Sequence, residues 1–280
     1  MQGELVAERL AFPEGPVWHD GALYFVEIAA GAVSRFDPDH GVARCALPGG
    51  GPNGATLCVR APNNLLYVTQ NGGMTRDNRQ PPGIQCIAIG HAAAEVSVVT
   101  HEVAGMKLEQ PNDLAFGPDG RLYFTDPRGL PDPARNNSPG RIFRWDLEHG
   151  SGELLLELEA VFPNGIAFDR DGTLLWTETF PRRVMALRDG KPEVVAELPI
   201  RHFPDGFCLD EEGRLYIAST YGHCVTIVEN GKVLDKLMCG DGMPTNCCFA
   251  GTDLYVTESR HGTLWRFPIG KRGLQLHGGS

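Results

Sequence analysis

The 280 residues are 42% hydrophobic and 21% charged, which supplies a sizeable core and excludes a globally disordered chain. A formal net charge of −10 argues against nucleic acid or an anionic membrane as partner, because both need a basic face. No apolar run approaches the roughly eighteen residues of a membrane span and no apolar leader follows Met1, so the expectation is one cytoplasmic domain over residues 1–280.

Read in chain order, one pattern recurs six times. The first copy, PEGPVWHDGALYFVE, covers Pro13–Glu27. The second is degenerate, PNGATLCVRAPNNLLYVTQ, from Pro52 to Gln70. The third reads PNDLAFGPDGRLYFTD from Pro111 to Asp126, the fourth PNGIAFDRDGTLLWTE from Pro163 to Glu178, and the fifth PDGFCLDEEGRLYIAS from Pro204 to Ser219. The sixth, PTNCCFAGTDLYVTE, runs from Pro244 to Glu258. Each joins a short apolar strand, a turn, and an aromatic-rich strand that ends in a polar residue. Asp-Gly and Glu-Gly pairs at most of the turns supply the positive φ that tight hairpins need.

A third strand follows most copies, as in Ala32–Phe36, Arg141–Trp145, Val184–Leu187, Val225–Glu229 and Thr263–Phe267. The polar anchors Glu14, Asn53, Asn112, Asn164, Asp205 and Asn246 lie 39, 59, 52, 41 and 41 residues apart. That period suits four-stranded blades, with insertions at residues 71–82 and 127–139 widening two intervals. No amphipathic helix accompanies the strands, which excludes a parallel α/β fold. The fold class is therefore all-β, a six-bladed β-propeller of four-stranded antiparallel blades. The last blade has only three strands of its own, so the N-terminal stretch Glu4–Leu10 is expected to supply the fourth and close the ring. The tail, residues 270–280, is expected to fray.

Eight cysteines contain no CxxC pair, and several sit within apolar strand patterns, as expected of a reduced protein. Cys247 and Cys248 are neighbours on a strand and should point to opposite faces.

All six anchors start the innermost strand of a blade, so they should meet at one end of the central channel. They deliver one Glu, one Asp and four Asn, hard oxygen donors suited to a divalent cation. Without His or Cys, the ring is unlike an ordinary zinc site. Loops on the same face bring further candidates for substrate contact: Arg128, Tyr221 and His223, with His202 as a candidate positioning residue or proton shuttle near Asp205.

The motifs EGPVW, PNDLAFGPDGRLYFTD, PNGIAF, PDGF and LYVTES resemble the senescence marker protein/gluconolactonase/luciferin-regenerating-enzyme family over Pro13–Phe267. The resemblance implies a six-bladed propeller with one axial divalent metal, Ca²⁺ first and Zn²⁺, Mn²⁺, Fe²⁺ or Mg²⁺ as alternatives. It implies hydrolysis of a small, sugar-type lactone, with phosphotriester or ester hydrolysis, or calcium binding without catalysis, as the other readings. By motif, Glu14, Asn164 and Asp205 match metal ligands, and Asn112 matches a position that ligates metal or touches substrate. Asp205 also matches the catalytic carboxylate, acting as base itself or through a water activated by the metal. Asn53 and Asn246 complete the ring as substrate contacts. A small-molecule partner and a monomer or weak homo-oligomer are expected. The sequence departs from the family at Gln110, where animal members carry a substrate-binding arginine, and in the segment following Asp126.

Overall fold

The computed structural model describes residues 2–58, 64–74, 76–89 and 94–278. Alternating apolar strands and glycine turns build six four-stranded antiparallel sheets, and each inner strand packs against the inner strands on either side to close a ring. Blade 1 comprises Pro13–His19, Ala22–Glu27, Ala32–Asp37 and Gly41–Ala46. Blade 2 comprises Pro52–Cys58, Leu65–Gln70, Gly83–Ala88 and Val96–Thr100, and blade 3 Leu114–Phe116, Leu122–Asp126, Arg141–Asp146 and Ser151–Glu157. Blade 4 runs through Pro163–Phe168, Leu174–Glu178, Arg183–Arg188 and Lys191–Glu197. Blade 5 follows as Pro204–Leu209, Leu215–Ser219, Cys224–Glu229 and Lys232–Met238.

Blade 6 is composite. Pro244–Ala250, Asp253–Glu258 and Thr263–Phe267 come from the C-terminal end, and Glu4–Ala7 adds the outer strand, pairing Glu4 with Arg266 and Leu5 with Trp265. The expected clasp is thus present, and it covers the edge that Thr263–Phe267 would otherwise leave open.

The core lies between blades rather than inside them. Six apolar clusters each bridge two neighbouring blades: Phe124 and Phe143 of blade 3 face Ile84 of blade 2, and Leu23 and Phe25 of blade 1 face Tyr255 of blade 6. Each fully buried side chain of this size contributes roughly 1.5–3 kcal/mol, so inter-blade packing holds the ring together. Cys247 and Cys248 fall into clusters on opposite sides of blade 6, as strand alternation requires.

Two features differ from the sequence expectation. A two-stranded hairpin, Glu102–Val103 with Met106–Lys107, precedes blade 3 and contributes to the wide spacing between Asn53 and Asn112. The tail, expected to fray, lies through residue 278 across the end of the channel opposite the anchors. Leu274 N donates to Leu209 O at 2.8 Å, Glu211 N to Arg272 O at 2.9 Å, and His277 meets Phe168 edge-on. Gly273 permits this course, because a Cβ there would stand 2.2 Å from Cβ of Phe249. The turn of the degenerate second copy, residues 59–63, lies outside the described residues.

Candidate active site at the propeller axis

A short proline-led segment opens the inner strand of blades 1, 2, 4, 5 and 6 and ends in a kink. Pairing between the first and second strands slips between Glu14 and Val17, Pro52 and Ala55, Pro163 and Ile166, Pro204 and Phe207, and Pro244 and Asn246. Such bulges re-aim a side chain out of the ladder. The glycine after the anchor makes the convergence possible: a Cβ on Gly206 would lie 2.0 Å from Cγ of Asn246, and one on Gly165 would lie 2.6 Å from the Asp205 carbonyl.

Buried hydroxyls then fix three of the anchors from the blade before. Thr125 donates to the Asn164 carbonyl at 2.7 Å, Thr177 to the Asp205 carbonyl at 2.8 Å, and Thr69 to the Asn112 carbonyl. Thr245 closes the circle by donating to the Pro13 carbonyl at 3.0 Å. The polar residues that end the second strands hold the incoming loops. Glu27 accepts from Ala11 N at 2.7 Å, Asp126 from Gln110 N at 2.8 Å, and Glu258 from Met243 N at 2.6 Å. These hydrogen bonds pin the main chain of the anchors and their incoming loops, and leave the anchor side chains to contact one another at the axis.

At the axis these devices bring Glu14, Asn164, Asp205 and Asn246 into one electrostatic group. The group contains a fifth member that the sequence reading did not select, Asp113. It sits where blades 1, 2, 4 and 5 have glycine, and the only sequence signal is that the third copy reads PND instead of PNG. Its Oδ2 accepts from Asn246 Nδ2 at 3.4 Å and its Oδ1 from Leu114 N at 2.9 Å.

The three acids disturb one another. Burial, with the Asp113 charge second, pushes the Asp205 carboxyl up to about 8, opposed by a hydrogen bond from Asn164. Burial pushes Asp113 up to about 7. Glu14 is raised well above the ordinary carboxylate range by burial and by the charges of Asp205 and Asp113, against hydrogen bonds from Gly15 N and Asn246. Glu14, Asn53, Asp113, Asn164 and Asn246 are buried, whereas Asn112 and Asp205 keep partial solvent contact.

The loop candidates divide differently. Tyr221 is 52% exposed and packs edge-on to Phe203 on the anchor face. Arg128 is spent within its own loop region, with Nε on Glu109 Oε1 at 2.7 Å and Nη1 on the Pro139 carbonyl. His223 Nδ1 lies 2.6 Å from the Gly242 carbonyl. His202 is buried inside blade 5, with Nδ1 2.9 Å from Thr226 Oγ1 and Nε2 3.3 Å from Lys236 Nζ. Both its ring nitrogens are engaged there, which leaves neither for Asp205. The ammonium and the burial push the imidazole below its usual range, with burial the larger cause.

Among the described residues, no group of three or more His, Cys, Asp and Glu side chains gathers as a metal cage. A cation at the ring would instead rest on mixed oxygens: the Glu14 and Asp205 carboxylates with the Asn112 and Asn164 amides. That donor set fits a hard divalent ion. The raised acids fit it too, because buried like charges are relieved by a cation between them.

Residues 12–268 match the family described as SMP-30/Gluconolactonase/LRE-like region. A gluconolactonase from Zymomonas mobilis is 28% identical over 92% of this chain and 79% of its own length. Pentonolactonase XacC from Haloferax volcanii is 26% identical over 88% of this chain and 81% of its own. The crystal structure of a calcium-binding protein, regucalcin, from Agrobacterium tumefaciens superposes with a TM-score of 0.78 at 19% identity, covering 98% of this chain and 96% of that one. The structural likeness extends the agreement in fold to nearly the whole chain. Among the described residues no helix is long and apolar enough to cross a membrane.

Proposed function

We propose that this chain, which belongs to the SMP-30/gluconolactonase/LRE-like family, opens the ring of a small lactone by adding water to its carbonyl, with a divalent cation, Ca²⁺ first, at the axial ring. The observation that carries the reading is the union of Glu14, Asn164 and Asp205 at one end of the channel, where Asp205 is the one acidic residue of the group that is not fully buried. The lactonase names of the two relatives support the reaction class.

Glu14, Asn112, Asn164 and Asp205 would hold the cation, which supplies Lewis-acid polarisation of the lactone carbonyl. Asn112, which keeps partial solvent contact, orients the substrate over the ring. Asp205 takes the proton of the attacking water at its carboxylate oxygen, the role for which a half-buried base at the mouth is suited. Asn164 steadies the other side of that carboxylate by hydrogen bonding, and Thr177 fixes its main chain. Asp113 and Asn246 lie toward the channel interior, where Asn246 hydrogen-bonds both Asp113 and Glu14 and keeps Glu14 in place. The ring oxygen leaving the acyl carbon is protonated from solvent at the open face.

Arg128, Arg183 and Arg260 of the anchor face are paired inside their loops, which favours a neutral lactone over an anionic one. The test is Asp205→Asn, assayed for lactone hydrolysis alongside circular dichroism. General-base loss typically removes 10²–10⁴ of rate, so turnover should fall by about that factor while the spectrum stays that of the wild type. Undiminished turnover would contradict the role given to Asp205.

A further inference from the structure

Between the anchor ring and the tail the channel widens into a cavity of about 430 Å³. Gly15, Asp113 and Asn246 line its upper end, and Leu274 and His277 its floor. Two thiols face it from neighbouring blades. Cys208 belongs to the inner strand of blade 5 and Cys247 to that of blade 6, and their sulfurs lie 3.6 Å apart. All eight cysteines are free. We propose that Cys208 and Cys247 form a redox-sensitive pair, closed to an inter-blade disulfide by a peroxide that reaches them through this cavity.

The geometry favours closure. A disulfide needs its sulfurs at about 2.05 Å, so these two must approach by roughly 1.5 Å, which side-chain rotation and a small strand shift can supply. The two strands are already packed against each other along the channel wall. Cys247 also sits 3.2 Å from the Tyr216 carbonyl, which holds its sulfur on the Cys208 side of the blade.

The chemistry balances. Hydrogen peroxide oxidises one thiol to a sulfenic acid and releases water. The second sulfur then attacks the sulfenic sulfur, the S–O bond breaks, and a second water leaves as the disulfide forms. Burial pushes the Cys208 thiol well up, so thiolate is scarce and the reaction requires sustained oxidant. A thiol reductant restores both groups by exchange.

The location gives the bond consequences. Cys247 directly follows Asn246, and Cys208 lies three residues after Asp205. Drawing the sulfurs together tightens the two inner strands just below the ring.

The test uses the full chain, held in hydrogen peroxide, alkylated, digested and mapped by mass spectrometry. The expected product is one peptide pair joined through Cys208 and Cys247, absent after reductant and absent from Cys208→Ala and Cys247→Ala. The cross-linked chain should also melt at a higher temperature than the reduced one, because the bond restricts the unfolded chain. Recovery of both residues as alkylated thiols, or pairing of either with another cysteine, would overturn the proposal. If an alanine variant fails to fold, mapping of the wild-type chain before and after reductant decides the question alone, and neither readout depends on lactone hydrolysis.

Discussion

The hydroxyl of Thr177 in blade 4 donates to the main-chain carbonyl of Asp205 in blade 5, at 2.8 Å. One hydrogen bond thus couples the packing of one blade to the position of the proposed base in the next. Thr177→Val keeps the shape but strands the buried carbonyl, a loss of about 1–3 kcal/mol. The melting temperature should fall by a few degrees, and hydrolysis should fall with it. Thr177→Ser should restore both, and a valine variant with unchanged melting temperature and rate would remove the pin from the account.

Ring closure makes a second prediction. Deleting residues 1–8 strips Glu4–Ala7 from the Thr263–Phe267 edge and uncovers a row of main-chain donors and acceptors. The truncated chain should melt lower and scatter light increasingly with concentration. A monodisperse chain of unaltered melting temperature would show that the clasp is dispensable.

His202 allows a pH prediction. Its folded value is depressed by burial and then by Lys236, so the native state favours the neutral ring. The stability it contributes is present above the unfolded value of about 6.5 and is lost as pH falls through the lower folded value. The NMR titration of its ring proton should show a midpoint below about 6.5. A midpoint above that value would mean that the imidazole is not held between Thr226 and Lys236.

The oxygen ring predicts linkage between cation and stability. A divalent ion that binds only the folded chain stabilises it by about 2.7 kcal/mol at a hundredfold excess over Kd. The melting temperature of metal-stripped protein should therefore rise with Ca²⁺, and the rise should shrink in Glu14→Gln. No shift with any divalent cation would deny the ring a metal.

The repeat and the anchors were legible because their signals are local. A proline and a polar residue open each copy, with glycine next in four of the six, and Asp-Gly or Glu-Gly turns mark most of the hairpins that follow. The clasp followed from counting strands in the last blade. What escaped was set by neighbours remote in sequence. Asp113 occupies a position that is glycine in four other blades, and its burial with Glu14 and Asp205 exists only once the ring is closed. The Thr69, Thr125 and Thr177 hydroxyls look like ordinary strand residues until the next blade brings a carbonyl to each. The tail lacks any periodicity, and its order comes from the floor of the channel that receives it. The placement of His202 was misleading for the converse reason: three residues from Asp205 in sequence, it turns into blade 5 instead.

The measurement that tests the central claim most directly is proton release during hydrolysis of a panel of sugar and aliphatic lactones. It is followed first in metal-stripped protein and then after adding back Ca²⁺, Zn²⁺, Mn²⁺, Fe²⁺ or Mg²⁺. The account predicts turnover of at least one lactone that vanishes on stripping, returns with a divalent cation and is lost in Asp205→Asn. Turnover that is indifferent to stripping and to Asp205→Asn, or no turnover of any lactone with any cation, would contradict it.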